Sequence, residues 1–158
     1  MLALSRFPGY HGIDEDISDQ PLNFWYLLQE ALVDYVYESE EDPELAQKAA
    51  GAQTLVKQVY VGLLRVLVSK CTYPPTDIWM DSDKEEKEKF ISYRREVADA
   101  LLNAYYVLRE DMLSLLVDES INRMSVFSLE SWQSLEAVLF SLKSIGEAVP
   151  ESESMFLP

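Results

Sequence analysis

Along the chain the first clear apolar period begins at Leu22. Trp25, Leu28, Leu32, Tyr35 and Val36 recur at the spacing that places them on one face of a helix. Pro21 stands just ahead, where a first helical turn tolerates it, and the acidic stretch Glu38–Asp42 with Pro43 ends the segment. A second helix is predicted over 54–70, where Val56, Val59, Tyr60, Leu63, Leu64, Leu67 and Val68 make a broad apolar face. Tyr73-Pro74-Pro75 closes it, because a residue before proline is biased away from the helical region. Residues 44–53, rich in Ala and Gln, read as a loop or a helical lead-in, and the stretch to Asp81 as a connector. Ser82-Asp83-Lys84-Glu85 fits a capping box with Ser82 as its hydroxyl. Beyond it Phe90, Val97, Leu101, Tyr105 and Leu108 form one stripe, and Met112, Leu115 and Leu116 another. One helix over 83–123 would be unusually long, so a break is predicted near Leu108–Asp111 although no Gly or Pro marks it. The last helix is predicted from Leu129 to Val149, after Ser128 as N-cap and before Pro150.

Two of these helices open alike. Phe24-Trp25-Tyr26-Leu27-Leu28-Gln29-Glu30-Ala31-Leu32 and Ser131-Trp132-Gln133-Ser134-Leu135-Glu136-Ala137-Val138-Leu139 both keep Leu at the third and seventh positions after Trp, and an acid just before an Ala. Similar openings separated by further helices point to stacked helical hairpins, each too small to bury its own apolar face. The pattern divides the chain into a short apolar start and an acidic loop (1–20), a first hairpin (21–76), a second hairpin (77–125), and a last helix with no partner after it (126–158). The fold class expected is all-α.

Charge narrows the partners. The 158 residues carry 28 acids against 13 Lys and Arg, a net charge of −15. Phosphate backbones need clustered cations, so direct nucleic-acid binding is not expected, and neither is an anionic membrane surface. A basic protein surface would be attracted. Cys71 is the single cysteine, which forbids an internal disulfide, and no apolar run approaches the ~18 residues that span a bilayer.

The residue types of catalysis are nearly absent. His11, the one histidine, lies in an acidic loop far in sequence from Cys71, and Cys71 reads as a small buried hydrophobe. The consecutive acids Asp14, Glu15 and Asp16 lack the alternate spacing of a calcium loop, and Gly9 and Gly12 lead into no phosphate-binding Lys-Ser or Lys-Thr. No enzyme activity, catalytic residue, cofactor or metal is expected. Phe24, Trp25 and Tyr26 are consecutive and cannot all face one way, so packing between hairpins is their expected role. Arg94-Arg95 reads as an internal ion-pair site between layers.

Four stretches in order carry a resemblance. They are Leu22–Glu30 with its Phe-Trp-Tyr-x-Leu-Gln string, Gln58-Val59-Tyr60 with Leu63–Val68, Trp79–Arg94 with Val97-Ala98-Asp99, and Ser131-Trp132 with Leu135-Glu136-Ala137. Together they resemble a middle segment of a nuclear transport receptor of the importin-β (karyopherin-β) family, closest to its importin-13/transportin-SR branch. The resemblance implies HEAT repeats stacked in an α-solenoid, about two and a half of them here, and a chain that is a fragment of something several times longer. It makes the start of the chain the tail of a preceding helix, and 126–158 the outer helix of an incomplete hairpin. It implies cargo-protein binding, Ran engaged through other parts of the full-length chain, and shuttling between cytoplasm and nucleus. A free-standing acidic adaptor domain is the alternative. On the HEAT template the inner helices line the concave side. Their non-core positions Lys57, Gln58 and Arg65 on the first, and Asp111, Ser114, Asp118 and Glu119 on the second, are the expected protein-binding residues, suited to cargo with a basic surface. Unpartnered faces at the ends, with Trp132, Leu135, Leu139 and Leu142 on the last helix, imply partial exposure or self-association.

Overall fold

The computed structural model describes residues 1–39, 43–128 and 132–150. Its regular structure among those residues is helical: α1 (Leu2–Ser5), α2 (Leu22–Ser39), α3 (Pro43–Lys70), α4 (Thr76–Asp81), α5 (Lys84–Leu108), α6 (Glu110–Ser125) and α7 (Trp132–Ile145), closed by a 3-10 turn at Gly146–Ala148.

Most helix positions follow from the apolar period, and the departures have local causes. The second long helix begins at Pro43 rather than near 54, so the Ala-rich stretch is helix and not loop. Proline supplies its own helical φ at a first turn, and Ala and Gln are good helix formers. The connector contains α4, held by Trp79 N–H donating to the Pro75 carbonyl at 2.9 Å. The capping box is shifted by one residue from the Ser82/Glu85 expectation. Asp83 is the N-cap, its carboxylate accepting from Glu86 N–H at 2.9 Å while Glu86 accepts from Asp83 N–H at 2.8 Å. Ser82 instead donates its hydroxyl to the Ile78 carbonyl at 2.8 Å, closing α4. Exposed Lys84–Glu88 and Lys89–Glu85 pairs line the following turns, as their spacing predicts. The start expected at Leu129 lies outside the described residues. At its other end α7 stops at Ile145, short of the expected Val149.

The break between α5 and α6 falls where length demanded one. Arg109 takes φ +52°, ψ −125°, the one non-glycine with positive φ among the described residues. Its N–H donates to the Tyr105 carbonyl at 2.8 Å, and its guanidinium lies over the Tyr105 and Tyr106 rings. Such a backbone costs about 1–3 kcal/mol and persists where the surroundings enforce it.

Helix α5 is the centre of the stack. It packs against α2 on one side and α7 on the other; α3 lies across α2 and α5 and reaches α7, and α6 rests on α7. One continuous core results, with Tyr60, Leu63 and Leu67 of α3, Val97, Leu101 and Leu108 of α5, Met112 and Leu113 of α6, and Val138 and Ile145 of α7 all shut from solvent. Of the three consecutive aromatics on α2, Trp25 is buried and Phe24 and Tyr26 are partly exposed. Trp25 is fixed at both faces: its indole N–H donates to Ser5 Oγ at 2.9 Å, and its carbonyl accepts from Tyr60 Oη at 2.9 Å. Burial pushes the Tyr60 phenol up to about 12, so it stays a donor.

Two polar joints lock the layers. Glu15 reaches inward from the acidic loop and accepts from Lys70 Nζ at 2.7 Å, Ile17 N–H at 2.7 Å, Ser18 N–H at 2.9 Å and the Ser18 hydroxyl. Lys70 also donates to the Phe7 and Gly9 carbonyls. Burial raises the Glu15 carboxyl, but the hydrogen bonds from Lys70, Ser18 and the backbone outweigh it and hold the group down at about 2. His11 belongs to this joint, stacked on Tyr93 of α5 with ring centroids 4.3 Å apart. In the second joint Arg94 of α5 lies between the rings of Tyr73 and Phe140, 4.2 Å from each, and donates to both carboxylate oxygens of Glu136 on α7 at 2.7 and 3.0 Å. Arg94 is thus the interlayer ion-pair residue that its isolation in an acidic chain predicts, while Arg95 is exposed.

Candidate protein-interaction surface

The expected binding residues come from α3 and α6, and these helices meet along a groove of about 400 Å³. Leu64, Arg65 and Val68 form one wall; Leu115, Leu116, Asp118, Glu119, Asn122 and Arg123 form the other. The floor is apolar because the core faces of both helices end there. The rim is charged because the next positions along each helix point to solvent.

Seven residues were expected to act together, and the fold gathers them unevenly; Gln58 is exposed on α3 outside the groove. Arg65, Asp118 and Glu119 share the groove. Lys57 and Asp111 lie outside it, joined to each other by an ion pair of 2.7 Å that ties α3 to α6. Ser114 is half-buried on α6. Glu119 is also engaged, accepting from Arg123 Nε at 2.7 Å, and Arg123 continues to the Ser134 carbonyl at 2.7 Å. Among the described residues Asp118 makes no hydrogen bond or ion pair. Arg123 is the residue that sequence reasoning missed here. Its spacing of four from Glu119 was the available signal.

Chemistry elsewhere is muted. Cys71 is buried beneath α7, and burial pushes its thiol up to about 12, so it is neither thiolate nor nucleophile near neutral pH. Among the described residues no three His, Cys, Asp or Glu side chains gather as a metal-binding group, and no helix is long and apolar enough to cross a membrane. What the molecule offers is surface. Phe24, Leu27 and Val33 on α2, and Trp132 and Leu139 on α7, are large apolar side chains open to solvent, with Leu135 and Leu142 half-buried beside the latter.

Helices layered in this way, sharing one core and leaving apolar outer faces, define an all-α solenoid segment of the HEAT kind. No family model matches the chain. Over its whole length it is 32 % identical to importin-13 of Homo sapiens and 30 % identical to importin-13 of Gallus gallus. Over 93 % of its length it is 26 % identical to the importin beta-like protein kap111 of Schizosaccharomyces pombe. The chain belongs to the importin-β family. It spans 16 % of the length of the importin-13 proteins it matches.

Proposed function

We propose that the chain is part of a nuclear transport receptor and acts as a protein-binding scaffold, not as an enzyme. The observation that carries this is the alignment of the entire chain with importin-13, joined to a helical fold that offers grooves and exposed apolar side chains. In this reading the units are the two hairpins 21–76 and 77–125, followed by the outer helix of a third. Cargo meets the α3–α6 side, Ran engages other parts of the full-length receptor, and the protein shuttles between cytoplasm and nucleus. The exposed apolar residues of α2 and α7 are covered by neighbouring repeats of a longer chain, or by a second copy when the segment is alone.

Basic cargo is favoured by the net charge of −15 at long range. At contact range the residues divide. Asp111 and Glu119 are already matched within the chain, which leaves Asp118 as the acid with free capacity in the groove. The test is charge reversal in the full-length receptor. Asp118→Lys is expected to weaken basic cargo more than Asp111→Lys does, with Ran binding unchanged. If affinity for every basic cargo stays within about twofold in the triple reversal of Asp111, Asp118 and Glu119, the site assignment fails.

A further inference from the structure

A second groove also borders α3 and shares Arg65 with the first. It encloses about 740 Å³ between α1, the loop that follows it and α3, and is lined by Leu2, Phe7 and Val66 as well as by Arg6 and Arg65. Its base is open at Gly62, where an added Cβ would sit 3.5 Å from the Leu2 side chain, in ordinary contact.

We infer that this groove binds an acidic segment of a partner protein, with an apolar side chain seated on Leu2, Phe7 and Val66 and carboxylates on Arg6 and Arg65.

Three observations support this. First, both arginines are exposed and make no hydrogen bond or ion pair among the described residues, in a chain with 28 acids available to neutralise 13 cations. Lys57, Lys70, Lys84, Lys89, Arg94 and Arg123 all have carboxylate partners. Two guanidiniums without a carboxylate partner among the described residues thus face one groove from two different elements. Second, two acids of the adjoining loop are occupied: Glu15 by Lys70, and Asp14 by the Tyr10 amide at 3.0 Å. Third, the loop wall is held in place. Lys70 donates to the Phe7 and Gly9 carbonyls at 2.9 and 2.7 Å, so the groove needs little ordering when a ligand arrives. Guanidinium groups bind carboxylates bidentately, which selects an acidic side chain over a neutral one. The chain's overall negative field disfavours a polyphosphate, which needs many cations, but tolerates a short peptide that needs two.

The experiment is fluorescence anisotropy on the chain with a dye-labelled peptide of alternating Glu, Asp and Leu, compared with the same peptide carrying Lys for each acid. The acidic peptide is expected to bind, to weaken as salt rises from about 50 to about 500 mM, and to lose at least about tenfold in affinity with either Arg6→Glu or Arg65→Glu. Gly62→Leu, which fills the base without changing charge, is expected to weaken it as well. Both arginines are solvent-exposed, and unchanged thermal unfolding will show that their variants fold. No binding of the acidic peptide up to about 1 mM, or indifference of its binding to both arginine reversals, each overturns the inference. Arg6 lines this groove and not the α3–α6 groove. Its reversal, set beside Asp118→Lys, therefore separates failure of this inference from failure of the cargo surface proposed above.

Discussion

Two lysine–carboxylate pairs of identical length join elements distant in sequence. Lys70–Glu15 and Lys57–Asp111 are both 2.7 Å long, and both lysines lie on α3. Their surroundings differ. The first pair keeps 8 % and 1 % of its side-chain surface in water, and the second 41 % and 57 %. The buried lysine also satisfies two carbonyls, and the buried acid accepts from two amides and a hydroxyl; the exposed pair has only itself. Bond length therefore says little about worth. An exposed pair competes with water and salt, whereas a buried pair with one partner removed leaves a charge without solvent.

The largest expected effect comes from breaking the buried joint. Lys70→Met leaves Glu15 enclosed without its counter-ion and frees the Phe7 and Gly9 carbonyls. It is expected to cost about 3–5 kcal/mol in urea unfolding. A loss below about 1 kcal/mol would put this joint in the same class as the surface pair. Its pH dependence follows from the Glu15 carboxyl, held at about 2 when folded against an ordinary 4.5. A depressed folded pKa adds stability above the unfolded value that is lost as pH falls through the folded one. Stability should thus decline between about pH 4.5 and about pH 2, and Glu15→Gln should flatten that part of the profile.

Arg94 lies between the two extremes, with its guanidinium buried and its partner Glu136 partly in water. Arg94→Met keeps stem packing but loses the bond from Nη2 to both Glu136 oxygens and the stacking between two rings, at an expected cost of about 2–3 kcal/mol. Arg94→Lys should recover only part, since an ammonium can meet the Glu136 carboxylate but does not stack as a plane between the Tyr73 and Phe140 rings. At the strained junction Arg109→Gly should raise the midpoint of thermal unfolding by the equivalent of about 1 kcal/mol. Relief of the positive φ there exceeds the entropy that glycine adds to the unfolded chain. The smallest effect belongs to the exposed pair: Lys57→Ala or Asp111→Ala should cost under about 1 kcal/mol, and less still at high salt. A double-mutant cycle on each lysine pair would measure the contrast directly.

Much of the fold was legible because one signal dominates it. Apolar residues at helical spacing marked the cores of α2, α3, α5, α6 and α7, and chain length alone demanded the break that Arg109 makes. Boundaries were less legible. Ser82 and Asp83 are both good caps, and only the end of α4 decides between them by engaging the Ser82 hydroxyl. Within the acidic loop, Glu15 alone of the three consecutive acids turns inside. Nothing local distinguishes it from Asp14 or Asp16, because its partner Lys70 is 55 positions away.

The candidate surface divides in the same way. The sequence by itself determined an all-helical chain with an acidic field and a family likeness borne by the order of four stretches. Which charges remain free was decided only by tertiary structure. Asp111, Asp118 and Glu119 look alike on a helical wheel, but Lys57 and Arg123 match two of them, and the meeting of α1 with α3 leaves Arg6 and Arg65 unmatched over one groove. Periodicity is a property of neighbours along the chain, and helical spacing records it. Charge pairing depends on which helices come to lie side by side, which no local pattern encodes.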